Sequence, residues 1–250
     1  MKIVSDPADI ESSWHQLYER LVSKVASILP ARGEFIEVGC GKGQFTIPLL
    51  RKLPNCRIVA VDRFEGPYHG DRSDLTAAIN RSRLRARVRI VKGDFLDWMT
   101  AQVGPKYDAV VSNDFVAEID SKGLRTFLSE CHRILKPGGI SVHSFLSPKP
   151  QNRRQRRLIE ADSNPKWTKD PPLEWFSPAE SLVIHLLKLA HFKKVQRSVL
   201  RSELVFRSIA ARDLLKSWGV RQSYWQLNRR ILEREGLEVP GFSITSALKP

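Results

Sequence analysis

The sequence predicts an α/β fold, a doubly wound and mostly parallel sheet, and three observations predict it. An apolar run, Phe35-Ile36-Glu37-Val38, breaks into glycines at alternate positions, Gly39, Gly41 and Gly43, and resumes as a helix-like segment, Phe45 to Leu50. A second apolar run, Arg57 to Val61, ends on Asp62, which lies 19 positions beyond Gly43. That separation fits a strand-turn-helix-strand unit that sets a carboxylate at the tip of the neighbouring strand. Further short apolar runs at Val88–Lys92, residues 108–111 and Ile140–Phe145 alternate with helical segments.

Taken in order, Ile10, Trp14, Leu17, Leu21, Val22, Val25 and Ile28 recur at helical spacing between Asp6-Pro7 and the Pro30/Gly33 stop, which predicts one amphipathic helix. Trp14 reads as a core residue of that helix, and Trp14 and Tyr18 have an alternative place over a ligand. The glycine turn follows the first strand. A Cβ there would oppose positive φ and hold a ligand away from main-chain N–H groups. Gln44 stands where a dinucleotide loop needs glycine, and Gly43 where a triphosphate loop needs Ser or Thr after lysine. Glu37 would repel phosphate and attract a cation.

Beyond Asp62, Gly66 to Asn80 reads as a loop and then a helix from about Ser73. Arg81, Arg83, Arg85, Arg87, Arg89 and Lys92 follow, cations at nearly alternate positions. The pattern predicts the solvated side of an edge strand in preference to a nucleic-acid stripe, because no aromatic is interleaved. Val88–Lys92 is the third strand, with Gly93-Asp94-Phe95 at its end, and residues 108–111 form the fourth, ending in Ser112-Asn113-Asp114-Phe115. A helical segment containing Phe127-Leu128 runs into Cys131 to Gly139. Pro137 there is expected to stop the helix, and Gly138-Gly139 to turn into the fifth strand.

The C-terminal part changes character. Lys149 to Arg157 holds five basic residues and no acids, and Trp167, Pro171-Pro172 and Trp175-Phe176 punctuate what reads as a lid-like connection over 148–180. Ser177-Pro178-Ala179-Glu180 has the form of a capping box opening a helix to about Ala190. A sixth strand is expected from Val195 to Phe206, a helical insert over 209–235 and a last strand from Phe242 to Leu248. The insert's Trp218, Tyr224 and Trp225 are expected to pack on the domain or to wall a substrate pocket.

The whole chain, 250 residues, suits one domain: an N-terminal helix at 1–32, a ligand-binding core at 33–147, the 148–180 insertion and completion of the sheet at 181–250. Net charge is +14, divided as +4 over residues 1–140 and +10 over 141–250, so the C-terminal part is the better place for any anionic partner, RNA being the alternative to a small-molecule acceptor. Cys40, Cys56 and Cys131 suggest neither a disulfide framework nor a metal cluster. With no apolar signal core and no membrane span, the reading is a cytoplasmic protein.

Glu37 to Gly43, Asp62, Gly93-Asp94-Phe95 and Leu135-Lys136-Pro137-Gly138-Gly139 together resemble the class I S-adenosylmethionine-dependent methyltransferases over about 33–147. The resemblance is to the small-molecule, ubiquinone/menaquinone-methyltransferase-like branch. Asn113 stands without the paired prolines that accompany it in methyltransferases acting on planar nitrogens. The resemblance implies a Rossmann-like sheet with an antiparallel last strand, an N-terminal helix and C-terminal helical insertions. It implies S-adenosylmethionine held by Glu37, Gly39, Cys40, Gly41, Gly43, Asp62, Arg63, Asp94, Phe95 and Asn113, without a metal. Glu37 and the main chain would take the amino-acid end, Asp62 the ribose, Asp94 and Phe95 the adenine. The expected acceptor is a small or lipid-like molecule; RNA or protein is the alternative, and a third reading binds cofactor without turnover. Asp114, Glu118 and His143 are the candidates for a general base, each with a structural alternative as a cap, a solvated side chain or a satisfied core histidine.

Overall fold

The computed structural model describes residues 1–65, 70–168 and 180–250. The proposed cap at Ser177 and the aromatic pair at 175–176 lie outside them. The described residues gather into two compact units. One comprises residues 18–65, 70–145, 180–198 and 243–250; the other comprises residues 1–17, 146–168 and 199–242.

In chain order the elements are β1 (Lys2–Val4), α1 (Ala8–Ala26), β2 (Arg32–Val38), α2 (Thr46–Lys52), β3 (Asn55–Asp62), α3 (Arg72–Arg81), β4 (Val88–Lys92), α4 (Phe95–Thr100), β5 (Tyr107–Asn113), α5 (Ser121–Ile134) and β6 (Leu135–Leu146). Then come α6 (Arg153–Ser163), α7 (Glu180–Leu189), β7 (Lys193–Leu200), β8 (Leu204–Phe206), α8 (Ser208–Ser217), α9 (Gln222–Arg234), β9 (Leu237–Glu238) and β10 (Phe242–Leu248).

The larger unit carries a seven-stranded sheet in the order β4-β3-β2-β5-β6-β10-β7. Strands β2 to β6 pair in parallel, with Ile36 opposite Val59 on one side and Val110 on the other. The apolar runs of β2, β3 and β5 are largely buried, as helix-covered parallel strands require, whereas β4 is mostly accessible. Strand β10 is antiparallel: Gly138 N donates to Lys249 O (3.0 Å), Lys249 N donates back to Gly139 O (2.9 Å), and Thr245 Oγ1 reaches His143 O (3.4 Å), so numbers rise on one strand as they fall on the other. The core joins Ile36, Val61, Val110, Phe127, Leu128, Phe145, Val183 and Leu187 across the sheet and its helices.

Several local expectations need correction. Helix α5 ends at Ile134, before Pro137, and the chain is already extended at Leu135, with the register shift between Tyr107 and Ala109 absorbing the glycine pair. The basic alternation from Arg81 to Lys92 belongs to three elements rather than one strand. Arg81 closes α3, Arg85–Arg87 make a 3-10 turn and only Val88–Lys92 is strand, although β4 is indeed a sheet edge. Arg87 donates to the carbonyls of Leu50 (2.9 Å), Leu53 (2.5 Å) and Cys56 (3.0 Å), closing the α2–β3 connection. Glu180 is buried at the start of α7, where it pairs with Arg197 (2.5 Å) and accepts from the Ser243 hydroxyl.

The smaller unit holds a three-stranded sheet, β1-β8-β9, with α6, α8 and α9. The single sixth strand expected over 195–206 is two, β7 and β8, which join different sheets. The basic stretch at 149–157 is no plain connection: Asn152 caps α6, accepting from Arg154 N and Gln155 N, and Leu158 and Ala161 are fully buried. The insert over 209–235 divides into α8 and α9. In it Tyr224 is buried beside Trp167, ring centroids 5.3 Å apart, whereas Leu227 is 72% exposed. Trp14, expected in the core, is only partly buried.

Candidate cofactor cleft

The carboxyl ends of β2, β3 and β4 meet the turns that follow them, the place where open α/β sheets bind ligands. After β2, Gly39, Gly41 and Gly43 have φ of +76°, +47° and +82°, a conformation a side chain resists. A Cβ at Gly39 would also lie 2.9 Å from Phe115 Cβ, so both space and torsion call for glycine.

Asp62, at the tip of β3, fixes this turn. Its Oδ2 accepts from Gly41 N (2.8 Å) and its Oδ1 from Phe64 N (2.7 Å). A carboxylate oxygen can accept more than one hydrogen bond, which is the chemistry a pair of ribose hydroxyls would use. Asp94 caps α4 through Oδ1, accepting from Leu96 N (2.8 Å), and Phe95 packs edge-on against Phe115 and Phe127 at 4.6 and 5.4 Å. A cleft of about 270 Å³ is lined by Gly39, Asp62, Arg63, Asp94 and Phe95, with Phe115, Glu118 and Ile119 opposite. Five of the ten residues expected to hold the cofactor therefore line one cleft.

The remaining five do not line it. Glu37 lies beneath, fully buried, with neither carboxylate oxygen hydrogen-bonded and the nearby Thr46 hydroxyl equally without a partner among the described residues. Burial pushes its pKa up to about 8, and the Asp62 charge adds to this. An acid so placed is unsatisfied until a donor or cation reaches it. Burial likewise raises the Cys40 thiol far above its ordinary value, so Cys40 is an inert neutral wall. Gly41 and Gly43 shape the turn, and Asn113 belongs to the network around Asp114.

Asp114 follows β5 in the left-handed region, φ +57°, with its N–H on Ser144 O (2.7 Å). Its Oδ2 accepts from the Tyr18 hydroxyl (3.3 Å) and from Asn113 Nδ2 (3.0 Å), and Asn113 Oδ1 in turn accepts from Ser144 Oγ (2.8 Å). Strain held by such a network is a feature of functional sites. Tyr18, a partner of this carboxylate, escaped the sequence reading in that role because its contact spans 96 positions. Glu118 is exposed at the cleft rim. His143 is fully buried, Nδ1 on Ser112 Oγ (2.9 Å) and Nε2 on Ser141 Oγ (2.7 Å), and burial lowers its pKa to about 3. Of the three candidates only Glu118 lines the cleft; Asp114 is next in sequence to Phe115, which does, and His143 is in the core. Among the described residues no His, Cys, Asp and Glu cluster could hold a metal, and no helix is long and apolar enough to cross a membrane.

The segment that carries this cleft resembles a known family. Residues 35–139 match the family model described as a methyltransferase domain. Malonyl-[acyl-carrier protein] O-methyltransferase of Paenibacillus sp. is 29% identical over 115 residues, 46% of this chain and 39% of that protein. Ribosomal protein L11 methyltransferase of Gloeobacter violaceus is 30% identical over 141 residues, 56% and 40% of the two chains. The chain thus spans about two-fifths of the length of these relatives. Ubiquinone biosynthesis O-methyltransferase of Cereibacter sphaeroides is 22% identical over 84% of this chain and 81% of its own. In fold, a SAM-dependent methyltransferase from Archaeoglobus fulgidus covers 94% of both chains with a TM-score of 0.59 at 16% identity. The [4+2]-cyclase SpnF reaches 0.60 at 17% identity, covering 93% and 80%. Residues 35–139 thus resemble a methyltransferase domain, and the chain shares its fold with a SAM-dependent methyltransferase.

Proposed function

We propose that the protein moves a methyl group from S-adenosylmethionine to a small-molecule or lipid-like acceptor by in-line displacement. The observation that carries this reading is the convergence of Gly39, Asp62, Arg63, Asp94 and Phe95 on one cleft. The residues fit the cofactor: the orphaned Glu37 carboxylate suits a cationic amino group, Asp62 the ribose hydroxyls, Asp94 the adenine amino group and Phe95 the ring. Bound there, the cofactor supplies an electrophilic methyl on a sulfonium. The protein's own contribution is to position the acceptor atom and exclude water, for which Phe115 and Ile119 form an apolar side to the cleft. Asp114, oriented by Tyr18 and Asn113, is the proposed proton acceptor, and Glu118 the second candidate at the rim.

The small-molecule branch is favoured because a ubiquinone biosynthesis O-methyltransferase matches over 84% of this chain and 81% of its own. The test is release of S-adenosylhomocysteine with a panel of phenolic, carboxylic and acyl-thioester acceptors, run beside a structured RNA. Turnover only with the RNA, together with binding that weakens steeply with salt, would replace this reading by a nucleic-acid one. Cofactor binding without transfer to any acceptor would favour a chemistry other than methyl transfer on the same fold, as the name of the cyclase SpnF illustrates.

A further inference from the structure

Away from the cofactor cleft, α3 and β4 flank a groove of about 800 Å³ lined by Asp71, Arg72, Ser73, Thr76, Ala77, Asn80, Arg85, Val88, Arg89 and Ile90. We propose that this groove docks an extended acidic segment of a partner protein, which adds as a strand to the free edge of β4. Among the described residues strand β4 is the last of its sheet and pairs on one side only, with β3, from Ile58 opposite Val88 to Asp62 opposite Lys92.

The lining shows from which direction the groove is reached. Successive side chains of a strand point to opposite faces, so a groove lying on one face would be lined by alternate residues. Val88, Arg89 and Ile90 line this one consecutively, which places it along the strand's edge, where the outward N–H and C=O groups are a template for another strand.

Charge selects the occupant. No acid occurs from Leu75 to Gly93, and Arg72, Arg85 and Arg89 are exposed around the groove. Among the described residues none of these three, nor Arg81, Arg83 or Lys92, forms an ion pair, whereas Arg87 of the same run is spent on three carbonyls. The one acid in the lining, Asp71, caps α3 by accepting from Ser73 N (3.0 Å). Uncompensated cations flanking an edge strand oppose pairing with another copy of this chain, because like charges would face one another across the new ladder. An acidic strand removes that repulsion and gains steered association. Ile90, partly exposed, then offers apolar contact to a side chain of the guest. A phosphate backbone would use the same arginines but not the strand's amides.

Fluorescence anisotropy of the full chain with a fluorescein-labelled peptide of alternating glutamate and valine tests this. The probe should bind, weaken as salt rises, and lose about tenfold or more in affinity with the Arg85→Glu/Arg89→Glu protein. The same peptide N-methylated at alternate amides should bind about tenfold more weakly, because it can no longer donate to the β4 edge. A lysine-valine peptide should not bind. The double variant's circular dichroism and melting temperature should match the wild type, so that loss of binding reports the groove. No binding of the glutamate peptide, equal binding of its N-methylated form, indifference to the double charge reversal, or stronger binding by a labelled RNA duplex would each overturn the assignment.

Discussion

Replacing Glu37 by Gln should change how stability depends on pH. The carboxyl is buried with no hydrogen bond to either oxygen, and its pKa is raised from an ordinary 4.5 to about 8. Between those values the folded state holds a proton that the unfolded state has lost. The associated stability is complete below 4.5 and is lost as pH rises through about 8. At about 1.4 kcal/mol per pKa unit the loss reaches at most about 5 kcal/mol. Gln keeps the size and neutrality of the protonated acid, so the variant should match the wild type at the acid end and exceed it increasingly toward alkaline pH. Urea unfolding followed by tryptophan fluorescence across this range measures it, and parallel stability curves for the two proteins would refute the reasoning. A second reading comes from calorimetry with S-adenosylhomocysteine in buffers of different ionisation enthalpy. Below about pH 8, wild-type binding should release close to one proton as the ligand's ammonium meets Glu37, and E37Q binding none.

Asp62→Ala removes both the acceptor for the Gly41 and Phe64 amides and the proposed ribose partner; calorimetry should find S-adenosylhomocysteine binding weakened about a hundredfold or more, and unchanged affinity would remove Asp62 from the site. Gly39→Ala combines a φ of +76° with a Cβ 2.9 Å from Phe115 Cβ, so it should cost about 1–3 kcal/mol in thermal unfolding as well as ligand affinity. His143 is held neutral by burial, its pKa lowered from 6.5 to about 3, so its contribution is present above 6.5 and is lost as pH falls toward 3. His143→Asn should flatten that acid limb while leaving S-adenosylhomocysteine affinity unchanged, and a loss of affinity would argue that the histidine shapes the cleft. Asp114→Asn should lower kcat by about 10²–10⁴-fold, whereas Tyr18→Phe, which loosens that carboxylate, should cost far less. Equal kcat in D114N and wild type would leave Asp114 a structural residue.

The alternation of buried runs with helical segments was legible because it is a local pattern. The glycines at 39, 41 and 43 announced positive φ, since few residues besides glycine accept that torsion readily, and the interval to Asp62 measured one strand-helix-strand unit. Those signals depend only on neighbours in the chain, so the amino-acid sequence by itself determined the fold class, the turn and the acids at the ends of β3 and β4. Non-local partners decided the rest. The run at 195–206 divides between two sheets because β8 pairs with β1 and β9, elements far away in sequence and too short to carry a signal. Arg87 parted from its neighbours only when the α2–β3 carbonyls came within reach, and the expected edge stripe became a groove only when α3 was laid beside β4. Asp114 met Tyr18, and His143 met Ser112 and Ser141, only on folding, which separated one candidate held at a strained turn from another satisfied in the core. Periodicity and torsional preference are written along the chain, whereas desolvation and hydrogen-bond partnership arise when distant segments meet, and those two effects made Glu37 the unsatisfied acid beneath the cleft.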